Sequence, residues 1–103
     1  MVIGGQTFNS DLILFPDSTV SSWWRKTGHR LCLSDLEMIF KKTPEVIIIG
    51  TGFFGLMKVE DEVKKYTEQK GIKLIIEKTK EASQLFNELS TQKRVVGAFH
   101  LTC

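Results

Sequence analysis

The sequence predicts an α/β domain of three layers, in which a mixed sheet combines a parallel βαβαβ unit with an N-terminal β-hairpin. Four consecutive β-branched apolar residues, Val46–Ile49, have the length and composition of a buried strand. From residue 45 to residue 103, apolar segments alternate with amphipathic ones, as in parallel strands joined by helices. Because 103 residues are close to the commonest domain size, we expect one domain over residues 1–103.

The hairpin is predicted within residues 1–26. A first strand is expected near Leu12–Phe15, where four apolar residues follow one another. The residues Pro16-Asp17-Ser18 favour a turn, because proline presets φ and the Asp and Ser side chains can bond nearby amides. A second strand is expected near Thr19–Lys26, and the two strands would pair in antiparallel fashion.

A short helix is predicted next, at about Asp35–Lys42. Ser34 and Glu37 have the spacing of a capping box, in which the serine oxygen accepts from the helix amide and the glutamate reaches back. Pro44 disfavours helical backbone at the residue before it, so it should end this helix.

The segment 45–103 supplies the parallel unit. Its amphipathic parts place apolar residues at i, i+3, i+4 and i+7, which is the spacing of one helix face. We expect near-continuous apolar strands, because such a sheet is covered on both faces, and right-handed crossovers between them. In order, the predicted elements are the strand Val46–Ile49, a helix Val59–Lys70, a strand Ile72–Glu77, a helix Lys80–Ser90 capped by Thr79, and a strand Arg94–Leu101.

Composition excludes several classes of function. The chain is 42% hydrophobic and 25% charged, which is ordinary for a globular protein, and its formal net charge is +2. Such a small charge without a basic run argues against nucleic-acid binding. No apolar run approaches the roughly 20 residues that span a bilayer, and no leader pattern is present, so we expect a cytoplasmic protein without a membrane span. Two cysteines are too few for a disulfide framework.

A glycine pattern follows the predicted central strand. Gly50, Gly52 and Gly55 have the spacing G-x-G-x-x-G, which in dinucleotide-binding folds lets a pyrophosphate approach the start of a helix. Glu77 ends the next predicted strand, 22 residues after Gly55, close to the position of the acid that binds ribose.

Other features of this loop argue against a dinucleotide. The helix pattern starts near Val59, beyond the glycines, and the bulky Phe53 and Phe54 stand where backbone would have to approach a ligand. The chain also lacks a second nucleotide-binding half, so we expect no cofactor. Two alternatives stay open. Backbone amides and the hydroxyl of Gly50, Thr51 and Gly52 could hold a small anion, or the loop is a turn that needs positive φ.

The histidines and cysteines form two H-x-x-C sequences. These are His29 with Cys32, and His100 with Cys103. Together they could complete a tetrahedral zinc site. However, residues three apart on a strand point to opposite faces, so each pair would have to lie beyond a strand end. We therefore expect no metal.

A cysteine nucleophile with a histidine base is the other possibility. The terminal carboxylate on Cys103 would raise the pKa of its thiol, which makes that thiol a poor nucleophile. The last strand nevertheless should end at the same sheet edge as the glycine loop, where open parallel sheets bind ligands. The weak catalytic candidates are therefore His100, Cys103 and His29, in one neighbourhood with Gly50, Thr51 and Gly52.

Four stretches of the sequence together resemble a family of uncharacterised domains. They are Val46–Gly52, Lys70–Ile72, Ala82 with Phe86–Leu89, and Phe99–Cys103. The family includes the adipogenesis-associated single-domain protein and mitochondrial respiratory complex I assembly factor three. The family motif falls on Trp24, Arg25, His29, Gly50, Gly52, Asn87, His100, Thr102 and Cys103, but not on Cys32.

The resemblance implies a compact three-layer α/β fold with a mixed sheet and no established enzymatic activity. Its mitochondrial members imply assembly of respiratory complex I through protein contacts, although from the sequence pattern we expect no mitochondrial leader. We therefore favour a non-enzymatic binding or assembly module that contacts a protein partner or a second copy, with the apolar loop Phe53–Met57 as a contact. The alternative is an anion or small-ligand site, with enzymatic chemistry, at Gly50–Gly55 and His100.

Overall fold

A computed structural model of the chain describes residues 2–3, 6–7, 11–15, 19–21, 30–52, 55 and 57–101. The strands are β1 (Val2–Ile3), β2 (Gln6–Thr7), β3 (Leu12–Leu14), β4 (Thr19–Ser21), β5 (Arg30–Leu31), β6 (Val46–Thr51), β7 (Lys58–Val59), β8 (Lys73–Glu77) and β9 (Val95–His100). The helices are a 3-10 helix (Leu33–Leu36), α1 (Glu37–Phe40), α2 (Asp61–Gln69) and α3 (Thr79–Leu89).

The main sheet has five strands in the order β4-β3-β9-β6-β8. Strand β6 lies between β9 and β8 and runs parallel to both. Strand β3 runs antiparallel to both β9 and β4, so the predicted hairpin joins the parallel unit along β9. The mixed sheet, the parallel unit and the hairpin are confirmed. Two small sheets pair β1 with β2 and β5 with β7.

Helices cover both faces of the main sheet, which confirms the three layers. Successive residues of a strand point to opposite faces. On one face, Ile47 and Ile49 pack with Ile39 and Val63 of the helical layer made by the 3-10 helix, α1 and α2. On the other face, Ile48 belongs to the cluster that contains the apolar side of α3. All six residues of β6 are buried, because the strand is covered by neighbours on both edges and both faces.

The first helix starts earlier than the sequence predicted. The predicted capping box of Ser34 and Glu37 is wrong, because the helical segment begins with a 3-10 helix whose N-cap is Cys32. The Cys32 amide donates to Asp35 Oδ2 at 2.9 Å. A glutamate distant in sequence also contributes, since Glu62 Oε1 accepts from the Leu33 amide at 3.2 Å. This long-range contact cannot be read from local spacing.

The boundaries of α2 and α3 also differ from the prediction. The predicted start of α2 at Val59 is wrong, because Val59 pairs with Leu31 in a short parallel bridge and α2 begins at Asp61. Thr79 was expected to cap α3 but is its first residue, after the N-cap Lys78. The Thr79 hydroxyl makes tertiary hydrogen bonds instead. Strands β8 and β9 match their predicted positions within one residue at each end. For the predicted strand Thr19–Lys26, residues 22–26 lie outside the described part of the chain.

We expect Gly97→Ala to lower the free energy of unfolding by about 1–3 kcal/mol, because overpacking a filled core forces side chains off their rotamers. A Cβ at Gly97 would lie 2.6 Å from Cε2 of Phe99 and 2.9 Å from Cδ1 of Phe86. Urea unfolding measures the change. The control is Asn87→Ala on the exposed face of α3, which should change stability by less than about 0.5 kcal/mol. Equal midpoints for both variants would contradict tight packing at Gly97.

Candidate functional site

The end of β6 and the end of β9 lie side by side. Their parallel register makes Thr51 the Cα partner of His100, so the fold brings the glycine segment and this histidine together. A hydroxyl from α3 joins them. The Gly52 amide donates to Thr79 Oγ1 at 2.8 Å, and the Thr79 hydroxyl donates to the backbone carbonyl of His100. Both bonds are buried. One side chain therefore fixes the helix start against both strand ends.

Gly50 provides the space for this contact. An added Cβ would lie 2.9 Å from Thr79 Oγ1, 3.1 Å from Thr79 Cα and 2.9 Å from Cδ1 of Phe99. Because one of these atoms is backbone, the clash could not be relieved by a side-chain rotation. The absence of a side chain at Gly50 lets the first turn of α3 approach the sheet closely. This is a packing role for the first glycine of the pattern.

The second and third glycines form a turn. Gly52 has a φ of 104° and Gly55 a φ of 71°, a region that glycine occupies at no steric cost. The Gly55 amide donates to the Gly52 carbonyl, and the Thr51 hydroxyl donates to the Glu77 carbonyl at 3.1 Å. Helix α2 begins only at Asp61. The glycine turn is thus followed by the short strand β7 rather than by a helix. The hydrogen bonds of this loop support the alternative that it is a turn needing positive φ. Anion binding by Gly50, Thr51 and Gly52 stays a prediction.

His100 is held by an acid that the sequence analysis missed. His100 is only 4% exposed, and its Nδ1 lies 2.8 Å from Asp11 Oδ2. Because an ionised carboxylate only accepts hydrogen bonds, Nδ1 carries the hydrogen in this contact. Asp11 Oδ1 accepts a second bond, from the Leu101 amide, at 2.8 Å. Asp11 directly precedes β3, whose Leu12 pairs with Phe99. Only the antiparallel register of β3 and β9 identifies this partner.

Several predicted site residues lie outside the described part of the chain. They are Trp24, Arg25, His29, Phe53, Phe54, Thr102 and Cys103. Of the apolar loop expected to contact a partner, Met57 is 2% exposed and belongs to the core cluster. Asn87 is exposed on α3, and its backbone carbonyl accepts from Ser90 Oγ. Within the described ranges, no group of three or more His, Cys, Asp or Glu is placed to hold a metal ion.

A second polar cluster surrounds the start of the 3-10 helix. Cys32 Sγ donates to Glu60 Oε1 at 2.7 Å. This hydrogen bond, burial and the negative charges of Glu60, Asp35 and Glu62 raise the pKa of the Cys32 thiol from 9.0 to about 11. The thiol is therefore protonated near neutral pH. Since the thiolate is the nucleophilic form, Cys32 is a poor nucleophile.

A groove opens beside this cluster on the helical layer. It encloses about 530 Å³, and we call it the helical groove. A neighbouring depression of about 290 Å³ shares Phe40 and Tyr66 with it, and the centroids of these two rings are 4.5 Å apart. Aromatic side chains and carboxylates therefore both line the helical groove. Its lining residues are Cys32, Leu33, Ser34, Glu37, Phe40, Glu62 and Tyr66.

The fold and these contacts define a small three-layer α/β domain with a mixed sheet, in which the glycine turn after β6 is hydrogen-bonded to the start of α3. The chain belongs to the family described as "Protein of unknown function (DUF498/DUF598)", whose model matches residues 1–101. In the part of the chain that the structure describes, no helix is long and apolar enough to cross a membrane.

Solved structures share this fold over almost the whole chain. A conserved hypothetical protein, PH1505 from Pyrococcus horikoshii OT3, is 28% identical, with a TM-score of 0.80 over 97% of this chain and 89% of that chain. A protein named MT938 is 26% identical, with a TM-score of 0.77 over 97% and 88% of the two chains. An outer membrane protein from Bartonella henselae is 20% identical, with a TM-score of 0.78 over 97% and 85%, a likeness of fold alone.

We expect Thr79→Val to lower the free energy of unfolding by about 2–4 kcal/mol, because it leaves the Gly52 amide and the His100 carbonyl buried without this partner. Thr79→Ser keeps the hydroxyl and should cost less than about 1.5 kcal/mol. Urea unfolding of both variants measures the difference. If valine, which keeps the methyl group, is no more destabilising than serine, the hydrogen bonds of the Thr79 hydroxyl are not what stabilises this contact between α3 and the strand ends.

We expect Glu60→Gln to make Cys32 react faster with iodoacetamide at about pH 8. The substitution weakens the hydrogen bond to Glu60, which is the largest cause of the raised thiol pKa, and removes the negative charge of Glu60, which also raises it. Each unit by which the pKa falls raises the thiolate fraction about tenfold at a pH below the pKa. Mass spectrometry of the Cys32 peptide separates this reaction from that of Cys103. Glu88→Lys on α3 is the control, and an unchanged rate in Glu60→Gln would contradict the assigned cause.

The same pKa predicts how stability depends on pH. Its folded-state value lies above the usual 9.0, so folding favours the protonated thiol. This contribution to stability is present below about pH 9 and declines as the pH rises towards about 11.

Proposed function

We propose that this protein is a non-enzymatic binding module that acts through protein contacts. The observation that carries the proposal is the helical groove, in which apolar and aromatic side chains lie next to exposed carboxylates. Binding sites commonly combine an apolar lining with a few placed polar groups that fix the orientation of the ligand. This groove has that composition and is built by helical segments that also carry the core of one face.

The chemistry of the groove favours a protein segment with a basic residue next to an apolar one. Leu33, Phe40 and Tyr66 offer apolar surface, and Glu37 and Glu62 are exposed at the groove. A lysine or arginine would pair with these carboxylates while its neighbour packs on the rings.

The contacts at the sheet edge also support a role without catalysis. The Thr51 hydroxyl, the Gly52 amide and His100 Nδ1 bond to other parts of the fold. Cys32 carries a protonated thiol near neutral pH. The sequence resemblance to the family that includes mitochondrial respiratory complex I assembly factor three favours participation in assembling other proteins. On this proposal the groove holds a segment of a client protein.

A titration of isotope-labelled protein by NMR tests the groove. The probe is a capped peptide that alternates leucine and arginine, and the matched peptide alternates leucine and glutamate. We expect the arginine peptide to shift the amide signals of Leu33, Glu37 and Tyr66, and the glutamate peptide to leave them unchanged. Glu37→Lys should weaken binding about tenfold, which corresponds to about 1.4 kcal/mol, because it reverses a charge at the groove. Glu88→Lys, on α3, is the control.

Equal binding of both peptides, or binding that Glu37→Lys leaves unchanged, would overturn the groove as the recognition site. In that case the shifts would report non-specific apolar contact, which does not depend on the sign of the charge.

A small-anion site at the glycine turn is the second candidate function. The observation that favours it is the register that places Thr51 beside His100 at the carboxyl end of the parallel strands. Open parallel sheets bind ligands at this edge. Inorganic phosphate in the same titration tests it. Shifts confined to Gly50–Gly52 and His100 would support the anion site, and no shift there would exclude phosphate as its ligand.

A further inference from the structure

Strand β8 forms one edge of the main sheet. It pairs with β6 on one side, and across the described residues no strand pairs with its other side. Its three central residues, Leu74, Ile75 and Ile76, are each partly exposed, whereas every residue of β6 is buried. An apolar strand with an open edge can template pairing with another strand, and proteins usually protect such edges.

The backbone amides and carbonyls of β8 point alternately towards β6 and towards the open side of the strand. The Lys73 amide donates to the Glu45 carbonyl, so the backbone groups of Lys73 point towards the β6 side. In a parallel strand this direction alternates, so Ile75 and Glu77 also point to β6. The amides and carbonyls of Leu74 and Ile76 consequently point to the open side.

We propose that β8 pairs with β8 of a second copy of this chain, in antiparallel fashion about a two-fold axis at Ile75. Leu74 then lies opposite Ile76 of the second copy, and each such pair exchanges two hydrogen bonds. Lys73 lies opposite Glu77 of the second copy at both ends of the pairing. The two sheets would join into one continuous sheet across the dimer, in the isologous arrangement that a two-fold interface requires.

Charge complementarity is the reason for choosing a second copy as the occupant. The strand sequence Lys73-Leu74-Ile75-Ile76-Glu77 has opposite charges at equal distances from its centre. Lys73, Ile75 and Glu77 lie on one face, and in this register they occupy the non-hydrogen-bonded pairs, where cross-strand side chains are closest. A parallel pairing would place like charges together. Lys73 and Glu77 are both exposed, so they are available for these contacts.

This inference goes beyond the proposed function, because β8 contributes no residue to the helical groove. A dimer can form whether or not the groove binds a peptide. The two proposals are therefore tested by different variants and fail separately.

Sedimentation velocity of the full chain, from about 10 µM to about 1 mM, tests the dimer. We expect the wild-type protein to dimerise with increasing concentration. Lys73→Glu and Glu77→Lys should each raise the dissociation constant by about tenfold or more, because each places like charges opposite one another at both ends of the strand pair. The double variant K73E/E77K restores opposite charges and should dimerise like the wild type.

A mixture of the two single variants tests the proposed register most directly. Lys73→Glu and Glu77→Lys chains are complementary to each other, so the mixture should form heterodimers although each variant alone is weakened. Lys93→Glu and Glu88→Lys carry the same changes of net charge away from β8 and should leave dimerisation unchanged. All four positions are exposed, so the substitutions should leave the fold intact, which circular dichroism checks.

Hydrogen exchange provides an independent measurement. The amides of Leu74 and Ile76 should exchange more slowly at high protein concentration than at low concentration. A protein that stays monomeric up to about 1 mM overturns the proposal. So does a dimer that neither single variant weakens, because its interface would then lie elsewhere.

Discussion

The buried hydroxyl of Thr79 is the contact on which the candidate site depends. It accepts a hydrogen bond from Gly52 and donates one to the carbonyl of His100, so it joins the ends of two parallel strands to the start of α3. This joint requires close approach of helix and sheet, and Gly50 allows it because a Cβ there would meet Thr79. The positive φ of Gly52 then turns the chain away from the sheet.

In this arrangement the glycine pattern has a structural role that differs from its role in a dinucleotide-binding fold. In a dinucleotide-binding fold, the glycines bring a phosphate to the amides at a helix start. Here the space over Gly50 is occupied by Thr79 and Phe99, and the Gly52 amide already has an acceptor within the protein. The same residue spacing therefore serves packing and chain reversal. Asp11 provides a second connection at this edge, because its carboxylate forms hydrogen bonds with both the ring of His100 and the amide of Leu101.

One face and one edge of the sheet offer surfaces for the two proposed contacts. The layer of the 3-10 helix, α1 and α2 bears the helical groove, where carboxylates lie beside aromatic rings. At the opposite side of the sheet from β4, β8 offers a strand edge with opposite charges at its two ends. On the two proposals, the groove would contact a client segment and the edge would contact a second copy. Neither contact needs the buried groups that hold β6, β9 and α3 together.

The sequence by itself determined the architecture of the parallel unit. Hydrophobic periodicity distinguishes buried strands such as β6 from amphipathic helices such as α3, and this pattern is local, so it is visible without the fold. This pattern predicted the positions of β8 and β9 to within one residue at each end. The expected meeting of the glycine segment with His100 also followed, because parallel strands end at one edge.

Tertiary structure decided the contacts between residues distant in sequence. The Leu33 amide at the first helix donates to Glu62, and the Thr79 hydroxyl has its partners at the ends of β6 and β9. Neither contact can be predicted from local capping patterns. Asp11 became the partner of His100 only through the pairing of β3 with β9. The helical groove forms where Phe40 of α1 packs against Tyr66 of α2. Local spacing specifies which element forms, whereas the partner of a polar side chain is set by the register and packing of elements far apart in the chain.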